Sequence, residues 1–143
     1  RHPRDRKKFT AKSGDRNAIT HIRTLWQEEM AALVEAELET GRTHQIRVHL
    51  SEVGHPIVSD PVYGRGGPLR GHNPVAIEEA KRLNKAPRLM LHAGILTFPH
   101  PKTQAIQYFV APPPDDYLNT IKDWMGEKAW QEIWSEVTHQ SGN

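Results

Sequence analysis

Glu39-Thr40-Gly41-Arg42-Thr43-His44-Gln45-Ile46-Arg47-Val48-His49-Leu50 is the stretch on which the fold turns. Upstream, Val34-Glu35-Ala36-Glu37-Leu38-Glu39 alternates with period two, apolar on one face and acidic on the other. Thr40-Gly41 breaks that alternation. Ile46, Leu50 and Val53 then recur at i, i+4 and i+7, which predicts a helix over 44–53 with one apolar face. Thr43 is the expected N-cap. Gly54 stands where a C′ glycine belongs, and Pro56 follows two residues later.

Working outward, residues 18–25 (Ala-Ile-Thr-His-Ile-Arg-Thr-Leu) are rich in β-branched side chains and predict a strand. With 32–39 it forms an antiparallel pair, because the 27–30 link is too short for a crossover. Residues 60–74 hold Gly64, Gly66, Gly67, Gly71 and three prolines, so they form a loop. A short helix is expected over 76–83, and strands over 89–96 and 106–110, joined by Phe98-Pro99-His100-Pro101. Leu118, Ile121 and Met125 mark a helix ended by Gly126, and Trp130, Ile133, Trp134 and Val137 mark another. The expected class is α+β, with a mixed, mainly antiparallel sheet and packed helices.

The chain has 143 residues and no cysteine, which excludes disulfide scaffolds, zinc ribbons and thiol catalysis. An apolar fraction of 36% suffices for one modest core. No apolar run reaches the ~18 residues of a membrane helix, so no membrane partner is expected. Residues 1–16 carry Arg1, Arg4, Arg6, Lys7, Lys8, Lys12 and Arg16 against only Asp5 and Asp15, leaving the rest of the chain acidic. Such a basic arm or linker suggests a polyanion, RNA or DNA, contacted through Arg4, Arg6, Lys7 and Lys8.

Arg42 stands just before the predicted helix and Arg47 in its second turn. Free N–H groups and the dipole at a helix start attract anions, and guanidinium groups strengthen such a site. Arg47 borders the Ile46/Leu50 face, where an arginine needs a carboxylate partner or a sheet end to cap. Nine histidines invite a metal reading, but His44 and His49 are five apart rather than the four that shares a helix face. No metal site is expected. His92 in Leu91-His92-Ala93 reads as a hydrogen-bonded histidine rather than a base, and no nucleotide fingerprint or nucleophile elbow is present.

These residues carry a resemblance. Gly41-Arg42-Thr43-His44-Gln45-Ile46-Arg47-Val48-His49-Leu50, then Gly54-His55-Pro56-Ile57, then Asp60-Pro61-Val62-Tyr63-Gly64 resemble the C-terminal half of the catalytic domain of an RluA/RluD-type pseudouridine synthase, of the ribosomal large subunit branch. Arg88-Leu89-Met90-Leu91-His92-Ala93, Leu96, Phe98 and His100-Pro101 are similar to the family's next block, in the same order. The opening 1–8 is similar to the stretch before that half. The resemblance covers about residues 1–118; the Trp-rich end lies outside it. Position 59 is Ser where the family more often has Gly.

The resemblance implies a pseudouridine-synthase-like half-domain over 17–114, preceded by the basic arm and followed by a helical tail over 115–143. It implies cofactor-free isomerisation of uridine to pseudouridine in RNA, large-subunit ribosomal RNA above all, by a cytoplasmic enzyme. The family flips its target base out of the RNA and attacks with an aspartate in a His-Arg-Leu-Asp motif. Neither that motif nor the tyrosine after it occurs here, so the chain, which opens on Arg1, reads as half a catalytic domain whose N-terminal half is missing. Arg47 matches the arginine that pairs with the catalytic aspartate, whose carboxylate this chain would then lack. Leu91 matches the block lining the uracil pocket, and Arg42, His44 and Gln45 fall on the substrate side as structural or phosphate-facing groups. Alone, such a fragment is expected to be inactive and to carry an uncovered apolar strip contributed by 33–38 and 89–96. The competing expectation is a stand-alone, non-catalytic RNA-binding module on the same half-fold.

Overall fold

The computed structural model describes residues 6–13, 16–64 and 66–141, with side chains over 18–64 and 66–139. Three strands, β1 (Arg6–Ser13), β2 (Arg16–Gln27) and β3 (Ala32–Leu38), form an antiparallel sheet in the order β1-β2-β3. Helices α1 (Gln45–Glu52) and α2 (Pro74–Leu83) follow. A second antiparallel sheet pairs β4 (Ile95–Pro99) with β5 (Ile106–Val110), and α3 (Asp115–Met125) and α4 (Glu127–Ser141) close the chain. The α+β expectation is met, and every strand pair among the described residues is antiparallel.

The alternation read in β3 is explained by its register. Ile22 lies opposite Ala36 and Thr24 opposite Val34, while Arg23 lies opposite Glu35. The acidic face finds partners across the ladder: Arg23 pairs with Glu35 at 3.2 Å, and His21 Nε2 lies 3.0 Å from Glu39. Ala18, Thr20 and Ile22 are buried on the other face of β2. Glu28 N–H donates to the Ala31 carbonyl to close the hairpin. Its tip is tied down by the buried Glu79 of α2, whose carboxylate accepts from the N–H of Met30 (2.8 Å) and Ala31 (3.0 Å) and from Trp124 Nε1 (3.0 Å).

The core gathers Leu83, Tyr117, Ile121, Trp124, Met125 and Trp130, with Trp26, Leu33, Val58, Leu69, Met90 and Trp134 packed against it. Helices α3 and α4 therefore share one core with the hairpin. Gly126, at φ 92°, ends α3 by donating to the Lys122 carbonyl, and its own carbonyl accepts from Trp130 N–H as α4 begins.

Four local expectations are corrected. Arg6, Lys7 and Lys8 do not belong to an arm: they lie in β1, paired with β2 residue for residue, because the second edge of β2 needs backbone partners; Arg4 lies outside the described residues. The N-cap of α1 is His44, in the left-handed region at φ 53°, rather than Thr43. The buried face of α1 is Gln45, His49 and Leu50, while Val53 is exposed. The strand expected over 89–96 begins only at Ile95. Residues 88–94 instead spend their backbone groups singly: Met90 N–H donates to the Val58 carbonyl, and the Gly94 carbonyl accepts from Ala111 N–H. Trp134 packs so close to Gly94 that a Cβ there would lie 3.3 Å from its ring.

The C-terminus of α1 is as expected. His55 N–H donates to the Leu50 carbonyl and Gly54 N–H to that of Ser51, a Schellman pair closed by Gly54 at φ 85°. Exposed large apolar side chains include Leu38 and Leu96, within the expected 33–38 and 89–96 stretches, and concentrate on β4 and β5. Leu96, Phe98, Ile106 and Phe109 are exposed there, with Phe98 and Phe109 stacked at 5.8 Å.

Candidate functional site

Two polar networks converge on α1, one beneath it and one beside it. Beneath, the amide of Gln45 is saturated. Its Oε1 accepts from Thr40 Oγ1 (2.8 Å) and Arg42 N–H (3.1 Å), and its Nε2 donates to the Ile19 carbonyl (3.1 Å) and Thr20 Oγ1 (2.9 Å). Thr40 Oγ1 accepts in turn from Ile19 N–H at 2.9 Å. Thr20 Oγ1 also hydrogen-bonds His49 Nδ1, at 2.8 Å. Gln45, His49 and Thr20 are all buried. Gln45, expected among the substrate-side residues, is thus spent on docking α1 to β2.

Beside α1, Arg47 makes a two-pronged ion pair with Asp60. Nε donates to Oδ2 at 2.9 Å and one Nη2 hydrogen to Oδ1 at 2.8 Å. The Asp60 side chain is fully buried, and 13% of the Arg47 side chain is exposed. This corrects the expectation that Arg47 lacks a carboxylate partner in this chain. Asp60 Oδ1 also accepts from the N–H groups of Val62 and Tyr63, both at 3.0 Å. The Arg47 hydrogen bonds are the largest influence holding the Asp60 carboxyl well below the usual carboxylate range. Burial opposes them, and the two backbone N–H groups add to them. The same hydrogen bond raises Arg47.

The turn that delivers Asp60 is set by its backbone. Ser59 precedes it at φ 60°, a left-handed conformation that explains why glycine suits position 59 better. Gly64 N–H donates to the Asp60 carbonyl, and a Cβ at Gly64 would lie 2.4 Å from that oxygen, so only glycine fits. Tyr63 then stands against Arg47, its ring centroid 5.1 Å from Cζ. Its hydroxyl lies 3.1 Å from His44 Nδ1, and its carbonyl accepts from Ser51 Oγ at 2.9 Å. His44 meets the Tyr63 ring edge-on at 5.7 Å.

Of the candidate residues, Arg47 and His44 are brought together through Tyr63, and Arg42 is exposed just before the helix. Leu91 is half-buried on the 88–94 segment, which the Met90–Val58 bond anchors two residues from Asp60. Asp60 and Tyr63 belong to the Asp60-Pro61-Val62-Tyr63-Gly64 block, for which sequence reasoning supplied no role; the available signal was an acidic residue in a Pro-Gly turn, whose side chain can cap that turn. Among the described residues no group of three or more His, Asp or Glu is placed to hold a metal ion.

An arginine pinned side-on by one buried carboxylate retains Nη1 and the second Nη2 hydrogen for another anion. A model of the RNA pseudouridylate synthase family matches residues 2–52. The chain is 42% identical over 116 residues to ribosomal large subunit pseudouridine synthase D of Nitrosomonas europaea, covering 81% of this chain and 32% of that protein. It is 42% identical over 122 residues to the synthase of the same name from Neisseria meningitidis serogroup A, covering 85% and 32%. It is 37% identical over 123 residues to the uncharacterized RNA pseudouridine synthase YlyB of Bacillus subtilis, covering 86% and 36%. Over most of its length the chain is thus similar to RNA pseudouridine synthases, those of the ribosomal large subunit among them. It spans about a third of the length of the curated relatives it matches.

Proposed function

We propose that this chain is the arginine-bearing part of a pseudouridine synthase catalytic domain that isomerises uridine in RNA, with large-subunit ribosomal RNA as substrate and no cofactor. The observation that carries the proposal is Arg47, fixed by Asp60 and Tyr63 with the Nη1 edge of its guanidinium left over. In this account a nucleophilic aspartate from the His-Arg-Leu-Asp segment, outside residues 1–143, binds that edge end-on while Asp60 holds the other side-on. One guanidinium has donors enough for both. The pairing keeps the nucleophile ionised and aimed at the flipped nucleotide. The C1′–N1 bond breaks, uracil rotates, C1′–C5 forms, the C5 proton leaves to solvent, and the freed N1 takes up a proton. Leu91 lines the uracil pocket, and Arg42 and His44 face the RNA backbone. Arg4, Arg6, Lys7 and Lys8 add non-specific phosphate contacts.

Ribosomal RNA as substrate implies residence in the cytoplasm; among the described residues no helix is long and apolar enough to cross a membrane. The exposed Leu96, Phe98 and Phe109 are the surface on which the N-terminal half of the catalytic domain would seat. Tritium release from RNA carrying 5-tritiated uridine tests the proposal. The chain alone should release none, and the polypeptide that joins it to the His-Arg-Leu-Asp segment should turn over. Release by the chain alone, or none by the joined polypeptide, overturns it, and RNA binding without turnover by the latter would favour a non-catalytic RNA-binding module.

A further inference from the structure

We infer that Arg88 is a positioning residue for the isomerisation, holding the backbone of the 88–94 segment so that Leu91 meets the flipped uracil. The inference rests on the pocket role proposed above for Leu91 and deepens it.

The segment has no ladder to hold it, since β4 begins only at Ile95. Side chains do that work instead. Arg88 Nε donates to the Leu89 carbonyl at 3.2 Å, and Nη2 to the Leu91 carbonyl at 3.4 Å. On the other side of the guanidinium, Nη1 donates to Asp116 Oδ1 at 3.3 Å. That oxygen also accepts from Tyr117 N–H at 2.8 Å, in the first turn of α3. Just beyond Leu91, His92 Nε2 bonds the Ala111 carbonyl at 2.7 Å. A guanidinium is rigid and planar, so its Nε and Nη2 hydrogens hold the two carbonyls at a set spacing. Those carbonyls belong to the peptides before Met90 and after Leu91. Fixing both sets the backbone dihedrals at Met90 and Leu91, and with them the direction of the Leu91 side chain. The Met90 N–H bond to the Val58 carbonyl holds the first of these peptides and does not reach the second.

A purely structural role would be to fasten α3 to the segment. The Arg88 and Asp116 side chains are 35% and 50% exposed, and an ion pair so open to water adds little stability. Helix α3 is held instead by Tyr117, Ile121 and Trp124 in the core. What the guanidinium fixes is local, the two carbonyls that bracket Met90 and Leu91, and Asp116 fixes the guanidinium.

Arg88→Met keeps much of the stem and removes every donor. The experiment uses the full synthase polypeptide containing this chain and the His-Arg-Leu-Asp segment, assayed by tritium release. Leu91 meets the base only once it is flipped, while phosphate contacts carry most of the RNA affinity. Arg88→Met should therefore lower kcat by about 10-fold, short of the loss that a full ångström of misplacement causes at a reacting centre, with KM for RNA close to wild type. In a Leu91→Ala background, where no branched side chain is left to aim, Arg88→Met should add little to the loss. Wild-type kcat in folded Arg88→Met, a change confined to KM, or an undiminished further loss in the Leu91→Ala background would overturn the inference. Should Arg88→Met fail to fold, Arg88→Lys, which keeps a charge beside Asp116 but cannot span both carbonyls, takes its place: a kcat loss at constant KM supports the inference and wild-type kcat overturns it. Wild-type turnover by Leu91→Ala, or a wild-type polypeptide that releases no tritium, would instead refute the reading on which the inference stands.

Discussion

Thr20 of β2 and His49 of α1 are hydrogen-bonded at 2.8 Å, and the Thr20 side chain is wholly shielded from solvent. The contact is the keystone of the polar seam that seats α1, and hence Arg47, on the sheet. Thr20→Val keeps the shape but removes the hydrogen-bond partner of His49 Nδ1 and one acceptor of Gln45 Nε2. A buried polar group left unsatisfied costs roughly 1–3 kcal/mol. Urea denaturation of the chain should show a loss of that size; a change within about 0.5 kcal/mol would mean the seam is not structural.

Ser59 holds φ 60° while largely exposed, and its hydroxyl makes only a 3.3 Å contact with the Ala86 carbonyl. Left-handed backbone costs a side-chain-bearing residue about 1–2 kcal/mol, partly offset by the greater chain entropy glycine loses on folding. Ser59→Gly should therefore raise stability by up to about 1 kcal/mol, visible as a higher melting temperature. A lower one would show that the hydroxyl contact outweighs the strain.

Asp60 titrates well below the ordinary carboxylate range in the folded chain, chiefly through its Arg47 hydrogen bonds. Its unfolded value is about 3.9. A folded-state value below the unfolded one gives stability that is fully present above pH ~4 to 5 and drains away as the pH falls further. Unfolding free energy measured from about pH 5 down to 2 should fall more steeply for the wild-type chain than for Asp60→Asn. Parallel pH profiles would contradict the assignment.

Replacing Arg4, Arg6, Lys7 and Lys8 together with Ala should flatten the plot of log RNA affinity against log salt concentration, because fewer counterions are released per bound protein. An unchanged slope would remove these residues from the RNA interface.

The helix and its terminator were legible because Leu50 and Gly54 obey local rules: an apolar period and a left-handed C′ position. The face that α1 buries was not, since Gln45 and His49 are polar and gain burial only from Thr20, some 25 residues upstream. Apolar periodicity selected Ile46, Leu50 and Val53, and the structure leaves Val53 exposed. Likewise, Arg47 was singled out as an arginine in need of a carboxylate, but its partner sits 13 residues on, beyond an aperiodic turn that no period connects to the helix. Strand β1 was hidden by its own charges, which read as a basic arm or linker when the backbone demand of β2 was out of view. The apolar run at 89–94 is consistent with a strand in isolation; the close packing of Trp134 on Gly94 belongs to tertiary structure and is absent from the local pattern.

Arg47→Lys tests the central claim most directly, because lysine keeps the charge beside Asp60 but loses the planar fork that serves two carboxylates at once. The measurement is single-turnover tritium release by the full synthase polypeptide, with RNA affinity determined alongside. The expected result is a folded variant that binds RNA as tightly as wild type and turns over at least about 100-fold more slowly. Wild-type turnover by folded Arg47→Lys would contradict it.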